Sequence, residues 1–366
     1  MPEPEGCRNG WPGSETAHFK KFYKSCGRLE KEAFEEPPAL ELGRYPGWIT
    51  GLAWSPNSKS IAGITAPGMG YNLASLFRFK NITGFASHLI IWSFSTQQEI
   101  RREMAHSGWG DTVDWSKEGH WIATGGLDKV VRVWNTQTWQ SAKLELHQAR
   151  VLQVRFHPAE SIIASVDNAG GVLLWDYIHG KVVGQYIIES GKQATSIAWL
   201  EQGQKLAVGS ADGSINLLDR SNQTLTRELR LAGQEEWIWS ITLSPCNGLI
   251  ASRGQANTIK IWQLNYPGPI KELKGLKKTI NCLEWSPAGH LLAAAGDDGI
   301  ITIWDTATWQ VKHTLKFNQH SPLWHKLPYV KDLNYHRSIR TVRWSPDGRS
   351  LAASDNAGRV LVWKIT

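Results

Sequence analysis

The sequence lacks the features that would place it in a membrane or in an oxidising compartment. Its 366 residues contain no apolar run of about 18 residues, so we expect no membrane-spanning helix. The first residues contain no apolar stretch of the kind found in secretory signals. The four cysteines are Cys7, Cys26, Cys246 and Cys282. They show no paired spacing and no Cys-x-x-Cys motif. Together these absences predict a reduced, cytoplasmic protein.

Sequence motifs of catalysis and metal binding are missing as well. There is no GxxxxGK[ST] phosphate loop, no HExxH pair and no GxSxG elbow. Cys7, His18 and Cys26 contain no tight ligand pair, and the histidines between positions 313 and 336 lack the i, i+4 spacing of a helical metal site. We therefore expect no enzymatic activity, no cofactor and no bound metal. The formal charge of +7 is mildly basic and compatible with an anionic partner.

A repeat organises most of the chain. Ile339–Lys364 reads IRTVRWSPDGRSLAASDNAGRVLVWK, in which three short alternating strands are separated by turns at Pro346–Gly348 and Asp355–Gly358. Similar units occupy Ile49–Trp92, Thr112–Trp134, Val151–Asp176, Thr195–Asp219, Trp239–Trp262 and Ile280–Asp305. Their closing positions, 92, 134, 175, 218, 262, 304 and 363, are 42, 41, 43, 44, 42 and 59 residues apart. A period of about 40–45 residues with four strands per unit is typical of a propeller.

On these units the chain resembles the WD-repeat β-propeller family from about residue 38 to residue 366. Trp175-Asp176 and Trp304-Asp305 retain the Trp-Asp pair that names the family. The resemblance implies an all-β, seven-bladed propeller with four-stranded antiparallel blades. It also implies a buried histidine–hydroxyl–aspartate–tryptophan network, which we expect only in the second unit, through His106, Thr124, Asp128 and Trp134. We interpret these four residues as structural.

The last unit ends after its third strand, so its outer strand must come from elsewhere. We expect Ala39–Leu42 to pair with Val360–Trp363 and close the ring, because an open propeller leaves a sheet edge exposed. Residues 1–37 do not fit the repeat and form a separate N-terminal arm, whereas residues 38–366 form the propeller. Two insertions interrupt it, at about 65–87 in the first blade and about 316–338 before the last. In the family's topology the two connections that contain these insertions open on the same face, so we expect the insertions to lie together there.

The same face carries a column of residues at the mouths of the connections that lead into each inner strand. The column consists of Trp48, Trp109, Arg150, Gln193, Trp237, Thr279 and Ser338. Tryptophan and arginine are enriched in binding hot spots, so the column suggests a partner surface. The alternative is that these tryptophans fold back onto neighbouring turns. The candidate partner-binding residues are Trp48, Trp109, Arg150, Trp237, Trp324 and Arg337.

Two functions fit these observations. The first is a non-enzymatic scaffold that presents a rigid face to a protein or peptide, either as a monomer or as a subunit of a larger complex. The second is a nucleic-acid-binding propeller that uses the basic residues and aromatics around the insertions, and its affinity would fall steeply with salt. We expect no membrane association.

Overall fold

The computed structural model describes residues 40–45, 47–67, 86–188, 192–220, 225–232, 237–246, 248–254, 257–264, 266, 268–274, 278–317 and 338–365. These residues form seven four-stranded antiparallel sheets. Each sheet is one blade, and its strands follow one another in the chain from the innermost to the outermost, except in the seventh. The N-terminal arm and most of both insertions lie outside the described residues.

The strands of the first three blades follow the repeat closely. Blade 1 consists of β2 (Trp48–Trp54), β3 (Ser60–Ala66), β4 (Ala86–Ser93) and β5 (Glu99–Ser107). Blade 2 consists of β6 (Gly110–Trp115), β7 (Trp121–Gly126), β8 (Val130–Asn135) and β9 (Ser141–Glu145). Blade 3 consists of β10 (Val151–Phe156), β11 (Ile162–Asp167), β12 (Gly171–Asp176) and β13 (Lys181–Ile187).

Blades 4 to 6 have the same order of strands. Blade 4 consists of β14 (Ala194–Leu200), β15 (Lys205–Ser210), β16 (Ile215–Asp219) and β17 (Thr226–Leu231), with a 3₁₀ turn at Glu201–Gly203. Blade 5 consists of β18 (Ser240–Leu243), β19 (Leu249–Arg253), β20 (Ile259–Gln263) and β21 (Pro269–Leu273). Blade 6 consists of β22 (Ile280–Trp285), β23 (Leu291–Gly296), β24 (Ile300–Asp305) and β25 (Val311–Lys316).

The seventh blade contains both ends of the propeller. It consists of β26 (Ile339–Trp344), β27 (Ser350–Asp355), β28 (Arg359–Lys364) and, as its outer strand, β1 (Leu40–Arg44). Strand β1 pairs antiparallel with β28, and Leu40 lies opposite Val362. The predicted ring closure is therefore confirmed, although the described closing strand extends to Arg44 rather than ending at Leu42.

Apolar side chains hold each blade against the next. Every pair of adjacent blades encloses one buried apolar cluster, including the cluster of Leu42, Ile49, Trp92 and Val362 between blades 7 and 1. Each blade therefore buries its two faces only in the presence of its neighbours, as the incomplete core of a single repeat requires.

Tryptophans near the ends of the inner strands add hydrogen bonds between blades. The Nε1 of Trp54 donates to the carbonyl of Arg343 at 3.0 Å, which links blade 1 to blade 7. Trp344 makes the corresponding bond to the carbonyl of Glu284 at 3.3 Å. Blades 4 and 6 repeat this contact to blades 3 and 5. The recurring tryptophan thus fixes the spacing of the inner strands as well as filling the core.

The structure brings the four residues of the proposed histidine network together in blade 2. His106 lies 2.8 Å from the Asp128 carboxylate through Nδ1 and 2.9 Å from the Thr124 hydroxyl through Nε2, and the Trp134 indole donates to that hydroxyl at 3.2 Å. Burial acts to raise the pKa of Asp128, but the hydrogen bond from His106 and other donors outweigh it, so the pKa lies below its usual value.

A second network in blade 3 corrects the expectation that only one unit forms it. His147 contacts Asp167 at 2.8 Å and Ser165 at 2.6 Å, and the Trp175 indole donates to Ser165 at 2.7 Å. In blade 2 the aspartate lies six residues before the closing tryptophan, whereas Asp167 lies eight residues before Trp175. Because Asp167 is the last residue of β11, its carboxylate reaches the histidine from the strand end rather than from the turn.

Candidate functional site

The candidate site lies at the edge of the ring where the inner strands β2, β6, β10, β14, β18, β22 and β26 begin. We call this edge the rim. The second strand of each blade runs antiparallel to the first, so it ends at the rim. Residues that begin an inner strand and residues that end its neighbour therefore share one surface.

Four side chains form a stack on the rim. The guanidinium of Arg340 lies 4.4 Å from the centroid of the Trp48 ring, and Trp48 meets Trp109 edge to face at 5.2 Å. The guanidinium of Arg150 lies 5.1 Å from the centroid of the Trp109 ring. The stack therefore runs through blades 7, 1, 2 and 3 in the order Arg340, Trp48, Trp109, Arg150. Cation–π and edge-to-face contacts each favour a fixed orientation of the rings.

Hydrogen bonds hold both ends of this stack. Arg150 donates to Asp111 through two nitrogens, one at 2.6 Å, in the bidentate geometry that arginine and carboxylate prefer. Burial raises the pKa of Asp111, and Arg150 opposes that shift. At the other end Arg340 donates through Nε to the amide oxygen of Asn356. The charged groups are thus positioned before any partner arrives.

A second aromatic feature lies before β18 in blade 5. Trp237 is 38% exposed and Trp239 is 36% exposed, and their ring centroids are 5.1 Å apart. An exposed pair of indoles presents a large apolar surface with few rotatable bonds, which is the property that makes tryptophan common in binding hot spots.

The structure places the predicted partner-binding residues in different environments. Trp48 is only 5% exposed and lies beneath Arg340, so it supports the stack instead of presenting its own surface, as the fold-back alternative describes. Trp109 and Arg150 are partly exposed, and Trp237 is exposed. Trp324 and Arg337 lie outside the described residues.

Sequence reasoning missed three members of the site. They are Asp111, Arg340 and Trp239. A signal was present for Arg340, since it follows the mouth position of blade 7 by two residues, as Asp111 follows Trp109 in blade 2.

The inner strands enclose a polar central channel with a cavity of about 360 Å³. Near its far end, the Glu284 carboxylate accepts a hydrogen bond from the Trp344 amide at 2.9 Å and lies 3.9 Å from Arg343. Burial raises the pKa of Glu284 to about 7 and lowers the pKa of Arg155, in the same channel, to about 10. Burial also raises the pKa of the Cys282 thiol to about 12, so this cysteine is a poor nucleophile at neutral pH.

In the described ranges, no group of three or more histidine, cysteine, aspartate or glutamate residues is arranged to hold a metal ion. Among the same residues, no helix has the length and apolar character needed to cross a membrane.

Comparison with known proteins agrees with the architecture. The family described as "WD domain, G-beta repeat" matches residues 105–135, 184–219 and 328–364. The family described as "Anaphase-promoting complex subunit 4 WD40 domain" matches residues 241–336. With seven four-stranded blades in the structure, these matches assign the chain to the WD-repeat β-propellers.

Curated relatives are distant in sequence. Periodic tryptophan protein 2 homolog of Dictyostelium discoideum is 26% identical over 225 residues, which cover 60% of this chain and 24% of that protein. THO complex subunit 3 of Arabidopsis thaliana is 27% identical over 214 residues, covering 56% and 65%. Protein transport protein SEC13-2 of Candida glabrata is 25% identical over 301 residues, covering 72% and 96%. The chain thus spans about a quarter of the first relative, just under two thirds of the second and nearly all of the third.

Proposed function

We propose that this protein is a non-enzymatic scaffold that binds a protein or peptide partner on its rim. The observation that carries the proposal is the fixed stack of Arg340, Trp48, Trp109 and Arg150, together with the exposed Trp237–Trp239 pair. Preorganised side chains lose little conformational entropy on binding, so they suit a surface that must recognise a partner.

The rest of the molecule supports this function over catalysis. In the described channel, no nucleophile lies beside a general base, and the Cys282 thiol has a raised pKa. One relative is named as a subunit of the THO complex and another as a protein transport protein, and none of the relatives' printed names is that of an enzyme. We propose by analogy that this chain also works as a subunit of a larger complex, and that it does so in the cytoplasm.

The proposal is tested by affinity purification from the source cells with wild type and with a Trp109→Ala/Trp237→Ala double variant. We expect proteins that co-purify with wild type to be lost from the double variant while its circular dichroism is unchanged. Val311→Ala is the matched control, because Val311 is an exposed apolar residue at the start of the outer strand of blade 6, at the edge opposite the rim. Full retention of every partner by the double variant would contradict the proposal.

The same experiment addresses the nucleic-acid alternative. Recovery of nucleic acid that elutes steeply with rising salt, without a protein partner, would favour the alternative over the scaffold.

A further inference from the structure

Arg253 occupies a position in the repeat where the other blades have small or apolar residues. The residue before it, Ser252, accepts a hydrogen bond at 2.7 Å from the indole of the closing Trp262. Thr124 accepts the same bond from Trp134 in blade 2, so Arg253 corresponds to the residue after Thr124. The corresponding residues, aligned nine positions before the closing residue, are Gly125, Val166, Gly209, Ala295 and Ser354. An arginine is too long for this place, so its side chain must extend into the channel, where it is part of the cavity lining.

The pairing of blade 5 also differs at this position. In the six other blades the register between the first two strands shifts at the start of the inner strand. In blade 5 Ser240 pairs with Arg253 and the register continues without a shift. The rim end of this blade is therefore built differently from the others, at the point where the arginine enters.

Arg253 differs from its neighbouring arginines because its side chain makes no hydrogen bond with any of the described residues. Its Nε is buried without a hydrogen-bond partner, and it forms no ion pair with any residue in the described ranges. The other described arginines at the rim or in the channel each donate a hydrogen bond to a carboxylate, a side-chain amide oxygen or a backbone carbonyl. These arginines are Arg150, Arg155, Arg340, Arg343 and Arg359. A buried cation without a partner is costly, so its retention calls for a compensating group.

The charge of Asp297 acts to raise the pKa of Arg253, but Asp297 makes no hydrogen bond to it and accepts from other donors. Asp297 accepts hydrogen bonds from Asn281 at 2.8 Å and from Ser338 at 2.6 Å. Asp111 is bound to Arg150. Burial lowers the pKa of Arg253 to about 10, with Arg340 acting in the same direction, so the guanidinium is still charged at neutral pH.

We infer that Arg253 and Arg340 bind a phosphate group at the rim end of the central channel. Both arginines line the same cavity, and their mutual repulsion is relieved by an anion placed between them. Guanidinium groups match the oxygens of phosphate in shape and hydrogen-bonding pattern. The cavity of about 360 Å³ has room for a phosphate and ordered water. The phosphate is either free or carried on the side chain of a peptide. The site shares Arg340 with the rim stack but does not rest on the proposed scaffold function.

Titration calorimetry of the purified full chain with inorganic phosphate at constant ionic strength tests the inference. We expect one phosphate per chain for wild type and a loss of affinity of about tenfold or more in Arg253→Met, because a hydrogen-bonded charge is removed. Arg253→Lys retains the charge without the planar fork and should bind at an intermediate level. Arg227→Met removes the same charge from the outer strand of blade 4 and should bind as wild type does.

Two further arms make the test decisive. If a phosphoserine peptide binds more tightly than inorganic phosphate and loses that advantage in Arg253→Met, the phosphate is carried by a peptide; equal affinities indicate free phosphate. Melting of Arg253→Met without phosphate should occur at or above the wild-type temperature, since the unpaired charge is gone. Equal phosphate affinity in wild type and Arg253→Met, or no phosphate binding by wild type, would overturn the inference.

Discussion

Glu284 provides a quantitative prediction, because its burial in the channel raises the pH at which its carboxyl group ionises. Its side chain is 23% exposed and lies 3.9 Å from Arg343, and its pKa is raised from 4.5 to about 7. A carboxyl whose pKa is higher in the folded state than in the unfolded state stabilises the fold below the unfolded pKa. That stability is lost as pH rises through the folded pKa.

The size of the lost stability follows from the shift in the pKa of Glu284. About 2.5 pKa units at 1.36 kcal/mol each give an upper value of roughly 3 kcal/mol, of which about 2–3 kcal/mol falls between pH 5 and pH 8. Glu284→Gln is neutral at every pH and keeps an oxygen that accepts the Trp344 amide. The free energy of unfolding of the variant should therefore rise relative to wild type by about 2–3 kcal/mol across this window.

Urea unfolding at pH 5, 6, 7 and 8 measures the difference between the two proteins, in which all other titrating groups cancel. The absolute stability of the variant also reflects its lost attraction to Arg343, so the slope with pH, and not its value at one pH, carries the test. Glu99→Gln is the control: the hydrogen bond from Arg102 lowers the pKa of Glu99, so Glu99 is ionised throughout and its difference should be flat. A flat difference for Glu284→Gln, or one that favours wild type as pH rises, would refute the reasoning.

Three further predictions concern the fold. Removing residues 1–39 should leave the melting temperature nearly unchanged, whereas removing residues 1–45 deletes β1 and should lower it sharply; equal melting of the two truncations would contradict the ring closure. His147→Ala should destabilise the chain by about 1–3 kcal/mol in urea unfolding, as should His106→Ala, because buried hydrogen-bonding groups lose their partner; an unaffected His147 variant would show that the second network is not needed. Trp344→Ala should cost about 3–5 kcal/mol, measured in the same way, and a cost below about 1 kcal/mol would exclude its role as a core residue and inter-blade bond.

The fold could be predicted from the sequence because each repeat contains the local signals for its own strands and turns. The turn at Pro346–Gly348 and the strict alternation before Trp363 fix the strand boundaries locally, and seven copies fix the number of blades. The closing strand followed from counting, since the last unit lacked its outer strand. Only its end was displaced, because the alternation after Leu42 continues through a register irregularity between Glu41 and Gly43.

The site could be predicted only in part, because its geometry depends on contacts between distant repeats. The column of tryptophans was visible, but Arg340 covers Trp48 from the far end of the chain, almost 300 residues away. No local pattern states which indole is covered and which is exposed. Likewise, Arg253 is visible as an odd residue in its repeat, but the absence of a hydrogen bond between its Nε and the described residues depends on side chains from several blades.

The proposed scaffold function is tested most directly by placing a photo-reactive phenylalanine analogue at Trp237 and, in a second protein, at Val311. Both positions are exposed, but Val311 begins an outer strand and therefore lies at the edge opposite the rim. After irradiation in the source cells, we predict that the Trp237 position forms a cross-link to a protein partner and that the Val311 position does not. Cross-links from both positions to the same proteins, or from neither to any protein, would contradict the claim that the rim is the binding surface.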